Sequence, residues 1–249
     1  SNNMDNQMHQ LEQQIQNDID SQFNLINDTS KQILSNPIIR ETLNSDSSAD
    51  DSYTMVMKKA LIEKQLNYIL SNNYLWSNKF IESISILIAP SVYYCVSRQA
   101  GDIDKLLKKY DEIISEPGES SIYTPRAQDE SIYFVRTHRN LETMDMQGKI
   151  VIEINKAVIK EYYKKVLGDS SARLFLWYED KQFLLDTSEK QGDIEAGRFL
   201  SLIKNPSSLY EVTLDSHVFI MTSKENPANS LSFTLIFPKS IVFQKLSES

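Results

Sequence analysis

Between Met4 and Ser35 the chain has neither glycine nor proline, and its apolar residues recur at Met8, Leu11, Ile15, Ile19, Phe23, Ile26 and Ile33. Steps of three, four and seven put them on one stripe of an α-helix. Carried through that stretch, the helix is ~48 Å long at 1.5 Å per residue, more than most small domains are wide. Such a stripe must be covered. Either the helix lies along the body of the chain, or it projects as a stalk and pairs; its length favours the stalk.

Asn36-Pro37 ends this helix, because proline disfavours helical geometry at the residue before it. A short helix runs on to about Asn44, a polar acidic loop covers 45–52, and a further helix spans about Tyr53 to Leu70. From Phe80 the period changes to two: Ser83 and Ser85 alternate with Ile84, Ile86 and Ile88, a strand with one apolar face. SVYYCVSR, 130–139 and 148–154 read as further strands, with a helix over about 102–115 between them. Asn155 then caps the helix KAVIKEYYKKVL, which Gly168 closes. ARLFLWYEDKQFLLDT reads as a hairpin, 193–204 as a helix, and LYEVTL, HVFIMTS and LSFTLIF as strands. Antiparallel hairpins beside helices define an α+β fold. Its segments are a stalk helix and helical region at 1–79, a first sheet unit at 80–155 and a second at 156–249.

Composition removes several functions. Six glycines in 249 residues leave no phosphate-cradling loop, and Gly192 and Gly197 lack the Lys-Ser/Thr of a P-loop. A net charge of −8 opposes nucleic-acid binding, which draws on clustered Lys and Arg. The three histidines are far apart, HExxH and GxSxG are absent, and the single Cys95 excludes paired zinc ligands and an intrachain disulfide. Cys95 reads as a small buried hydrophobe. Carboxylates such as Glu179-Asp180 lie in a turn, so no catalytic residue, metal or cofactor is assigned. The longest apolar stretches fall short of the ~20 residues of a membrane helix.

The informative cluster is aromatic and cationic. Tyr94, Arg98, Tyr123, Arg126, Tyr133, Arg136 and His138 lie on or beside the first sheet, with Tyr93 and Arg139 nearby. Strand alternation puts Phe134, Arg136 and His138 on one side and Tyr133, Val135 and Thr137 on the other. Aromatic walls with a few convergent donors suit a small ligand carrying hydroxyls or a carboxylate.

The succession of a long N-terminal helix, ISILIAPSVYYCVS, SIYFVRTH, QGKIVIEINKAVIKEYYKKVL and RLFLWYEDKQFLLDT resembles the double Cache sensor domain, two PAS-like units on a long helix. The resemblance covers nearly the whole chain and is strongest to bacterial sensor histidine kinases. It implies a domain on the extracytoplasmic face of the cell membrane, held by flanking transmembrane helices. It further implies a small-molecule ligand in the first, membrane-distal unit and a homodimer through the N-terminal helix. Alternatives are the sensor of a chemotaxis receptor or diguanylate cyclase, and a secreted or lipid-anchored binding protein. The Tyr, Arg, Trp and Asp pattern of the amino-acid-binding subgroup has no counterpart in 120–150, which holds no tryptophan.

Overall fold

The computed structural model describes residues 2–45, 49–72, 80–88, 92–98, 107–108, 112–113, 118–123, 130–168, 172–179, 182–188, 193–202, 209–226 and 230–240. The helices are α1 (Asn2–Ser35), α2 (Pro37–Asn44), α3 (Ser52–Asn72), α4 (Lys156–Leu167) and α5 (Asp193–Ser201). Strands β1 (Ile81–Ile88), β2 (Val92–Ser97), β3 (Ser120–Tyr123), β4 (Ser131–Arg139) and β5 (Met146–Asn155) form one antiparallel sheet in the order β2-β1-β5-β4-β3. A second antiparallel sheet, β7-β6-β10-β9-β8, is built from β6 (Arg173–Tyr178), β7 (Gln182–Asp186), β8 (Tyr210–Leu214), β9 (His217–Asn226) and β10 (Leu231–Pro238). The α+β expectation is met. The helix expected over 102–115 lies largely outside the described residues.

Two compact units result. One comprises Asn24–Thr124 and Ser131–Asn155; the other comprises Ser1–Phe23, Pro125–Glu130 and Lys156–Ser249. The helical region read from sequence as a segment of its own, 1–79, is thus shared between the two, for a simple reason. The α1 stripe is buried: Met8, Ile15, Ile19, Ile26 and Ile33 are each less than a tenth exposed within this single chain. Over these residues α1 is a core helix, not a free stalk, and the stripe is not open to a second helix.

In the first unit, Asn36 accepts a hydrogen bond from the Ile39 backbone N–H at 2.9 Å and starts α2, with Pro37 in its first turn. Ile62, Leu66, Ile69 and Leu70 bury one face of α3. β5 is the central strand of the sheet, paired with β1 on one side and β4 on the other. Gly148 faces Ile88 and His138 in that register, next to a bulge between His138 and Arg139. A Cβ placed on Gly148 would come within 2.0 Å of the Leu87 carbonyl oxygen, so only glycine fits there.

In the second unit, polar contacts hold α1 to its neighbours. Glu12 pairs with Lys224 at 3.1 Å and accepts from the Thr222 hydroxyl, and Asp20 accepts from Asn226 at 2.6 Å. The Tyr163 hydroxyl of α4 donates to Asp18 at 2.8 Å, and burial followed by the Asp18 charge pushes that phenol up. Gly168, at φ +72°, ends α4 in the left-handed conformation that glycine adopts without strain. The other face of the sheet carries an aromatic core of Phe175, Trp177 and Phe199 with Val212, Met221 and Ile236. Arg173 lies 4.9 Å from the Phe175 ring centre and pairs with Asp186.

Two glycine substitutions separate packing from chain entropy. Gly148→Ala should cost at least ~2 kcal/mol, because β1 must move to admit the methyl group. Gly197→Ala, exposed in α5 with no atom within 4 Å of its Cβ position, should gain up to ~1 kcal/mol. Urea denaturation followed by circular dichroism reads both; equal effects would contradict the β1–β5 geometry.

Candidate ligand-binding face of the first sheet

The period of two in β1, β4 and β5 divides the first sheet into two chemically different faces. One carries Ile84, Ile86, Ile150, Ile152 and Phe134, all buried, together with Arg136. Arg136 shows which way this face looks. Its Nε donates to the Ser30 hydroxyl of α1 at 2.7 Å, and a second guanidinium nitrogen donates to Asn27.

The opposite face is polar, and it too is buried. Register aligns Ser83, Glu153 and Tyr133 in one row, Ser85, Val151 and Val135 in the next, and Leu87, Lys149 and Thr137 in the third. Glu153, 4% exposed, accepts from the Ser83 hydroxyl at 2.8 Å and the Ser131 hydroxyl at 2.7 Å. Lys149, 3% exposed, donates to the Thr137 hydroxyl at 2.8 Å, and Thr137 donates to the Gly118 carbonyl at 2.9 Å. Between these ends Leu87, Tyr133, Val135 and Val151 pack with Ile113. The Ser85 hydroxyl in the middle row is fully buried and has no hydrogen-bond partner among the described residues. Burying a hydroxyl without a partner costs ~1–3 kcal/mol. A carboxylate, an ammonium and an unsatisfied hydroxyl therefore share one face, with apolar surface between them.

The residues singled out from sequence are distributed over both faces. Tyr133 lies on the polar face, 2% exposed. Tyr123 is paired with Tyr133 across β3 and β4. Arg136 and His138 point the other way, as alternation required, so the cluster does not converge on one site. Tyr94, opposite Ile86, is half-buried on that helix-facing side, where burial and the Asp50 charge raise its phenol. Arg98 donates to the Ile81 carbonyl at 2.6 Å. Arg126 lies outside the described residues. Ser83, Ser85, Ser131, Thr137, Lys149 and Glu153 were not singled out, although each alternates with apolar residues in a strand pattern. Among the described residues, no three His, Cys, Asp or Glu side chains gather as a metal site.

No protein-family model and no curated protein sequence matches the chain. Solved structures do. The ligand-binding domain of the Pseudomonas fluorescens chemoreceptor CtaA, in complex with L-isoleucine, superposes with a TM-score of 0.56 at 14% identity, covering 98% of this chain and 96% of that one. The sensory domain of the Campylobacter jejuni chemoreceptor Tlp3 with isoleucine bound gives 0.53 at 9% identity over 97% and 93%. The ligand-binding domain of Mlp24 with asparagine gives 0.52 at 12% identity over 96% and 93%. The chain has the double Cache fold: a long N-terminal helix with two antiparallel sheets.

On the helix-facing side, His138 is buried, and burial pushes its pKa down, against a hydrogen bond with Gln147 that raises it and with the Arg40 charge lowering it further. The folded state then binds fewer protons than the unfolded chain just below the ordinary histidine pKa, so stability falls as pH drops through that range. Lowering the pH from about 7.5 to about 5.5 should lower the melting temperature, and His138→Leu should flatten that dependence. An unchanged slope in the variant would show that His138 does not contribute.

Proposed function

We propose that this chain is the extracytoplasmic ligand-sensing domain of a membrane-bound receptor, and that its small-molecule ligand contacts the polar face of the first sheet. The observation that carries the reading is that Glu153, Ser85 and Lys149, from three successive rows, are buried on one face of the sheet. Lys149 and Glu153 are four residues apart on one strand, so their Cα atoms are ~13 Å apart, a span that suits a small molecule with an acceptor at one end and a donor at the other. The second sheet supports the same choice by contrast: its core-facing side is closed by aromatic rings 5.4–6.4 Å apart, among them Phe175, Trp177 and Phe183.

The receptor is a two-component sensor histidine kinase in this reading, with the ligand transmitted as a displacement of α1 of ~1–2 Å. A ligand drives such a shift only through different affinities for the two arrangements. A chemotaxis receptor is the second reading, favoured because the solved domains of like fold named above are chemoreceptor domains. The segments flanking this chain in its gene distinguish the two: a kinase core or a chemoreceptor signalling helix after a second membrane span.

A thermal-shift screen of amino acids, organic acids, sugars and short peptides tests the ligand reading. A ligand at about 100 times its Kd stabilises the fold by ~2.7 kcal/mol, a rise of several degrees in Tm. Lys149→Met and Ser85→Ala should each remove the shift while the ligand-free protein still melts cooperatively. A ligand that stabilises both variants as well as the parent protein would place binding elsewhere, and a screen without any shift would remove support for direct sensing.

A further inference from the structure

Cationic groups gather on the helix-facing side of the first sheet, where β5 begins. His138, 4% exposed, hydrogen-bonds with Gln147 of β5, and the Gln147 amide donates to Asn44, the last residue of α2, at 3.1 Å. This chain of bonds ties α2 to the bulge between His138 and Arg139. Arg40 lies one turn before Asn44 on the same side of α2, and its charge acts on His138. Arg136, two residues before His138 on β4, points to the same side and donates to the neutral Asn27 and Ser30. Glu119, the acid whose charge reaches Arg136, is paired with Arg139 at 2.8 Å. Glu41 and Lys58 line the groove between α2 and α3, and β1 brings the uncharged Ile88 into the row of His138. Among the described residues no carboxylate bonds to Arg40, Arg136 or His138. In a chain with 34 Asp and Glu against 26 Lys and Arg, that leaves a positive corner without its counter-charge.

We propose that Arg40 and His138, with the side-chain amides of Asn44 and Gln147, form a binding site for a small oxyanion whose occupancy is coupled to protonation of the imidazole. The guanidinium supplies a planar fork for two oxygens of one anion. Each amide carries two N–H donors, and the bond between them uses one, so further donors are left for the anion. Arg40 and Gln147 are half-buried and Asn44 is exposed, so an anion arrives from the solvent side of α2 while His138 lies behind them, out of water. Without an anion, burial and the Arg40 charge both disfavour the imidazolium, against the bond with Gln147. An anion beside the two groups reverses the sign of the local field and favours the charged ring. Proton and oxyanion then each raise the affinity for the other. The site is on the side of the sheet opposite Lys149 and Glu153, so it stands or falls apart from the ligand reading.

Sulfate is the probe, because its charge stays constant while histidine titrates, between about pH 5.5 and 7.5. Calorimetric titration of the whole chain, at ionic strength held constant with chloride, should show sulfate binding at least ~5-fold more tightly at the lower pH. Saturating sulfate should raise the pKa of His138, read from its ring proton resonances. Arg40→Gln should abolish binding and keep the melting curve in chloride, since Arg40 bonds to no carboxylate in the fold. Arg40→Lys, which keeps the charge without the fork, should bind more weakly than the parent protein. His138→Gln should still bind sulfate but lose the pH dependence. No binding up to roughly 10 mM sulfate, equal affinity at the two pH values, or binding that survives Arg40→Gln overturns the proposal. So does a pH dependence that persists in His138→Gln.

Discussion

The burial of both faces of β5 is the constraint on which the first unit depends. As the central strand it has no solvent side, so every residue from Gly148 to Ile154 must find a place inside. Ile150, Ile152 and Ile154 go to the apolar side, where the hydrophobic effect supplies the driving force. Lys149 and Glu153 go to the other, where hydroxyls from neighbouring strands bond to each and offset the cost of burying it. The strand therefore fixes a polar interior, and the register with β1 and β4 determines which hydroxyls meet which charge.

The same economy of contact governs α1. Its apolar stripe is packed against the chain, and its polar residues at the stripe margins make specific bonds: Glu12 to Lys224, Asp18 to Tyr163, Asp20 to Asn226, and Asn27 and Ser30 to Arg136. Losing one partner of a buried polar pair costs more than the pair contributes, because the other group is left without a bond. A displacement of α1 must therefore break or exchange such bonds, which favours two discrete arrangements over a gradual slide.

Much of the architecture was legible from periodicity. The 3.6-residue stripes of α1 and α4, the Asn36-Pro37 start of α2, the Gly168 stop and the two-residue alternation of β1, β4 and β5 are local signals, each set by dihedral preference or side-chain direction. Less of the candidate site was legible. Arg136 has the chemistry of a carboxylate receptor, yet its guanidinium binds Asn27 and Ser30, more than a hundred residues earlier in the chain. Ser83, Ser85, Lys149 and Glu153 carry the alternation expected of an ordinary water-facing side, and nothing local shows that this side is covered.

By itself the sequence determined the elements, their order and the side of each strand on which a residue falls, because these follow from backbone geometry within a few residues. Only the tertiary structure decided that the stripe of α1 is used inside the chain, that Arg136 is engaged by that helix, and that the polar face of the first sheet is buried. Those outcomes depend on which surfaces meet across long separations in the chain. Burial, unlike periodicity, is a property of the neighbour as much as of the residue.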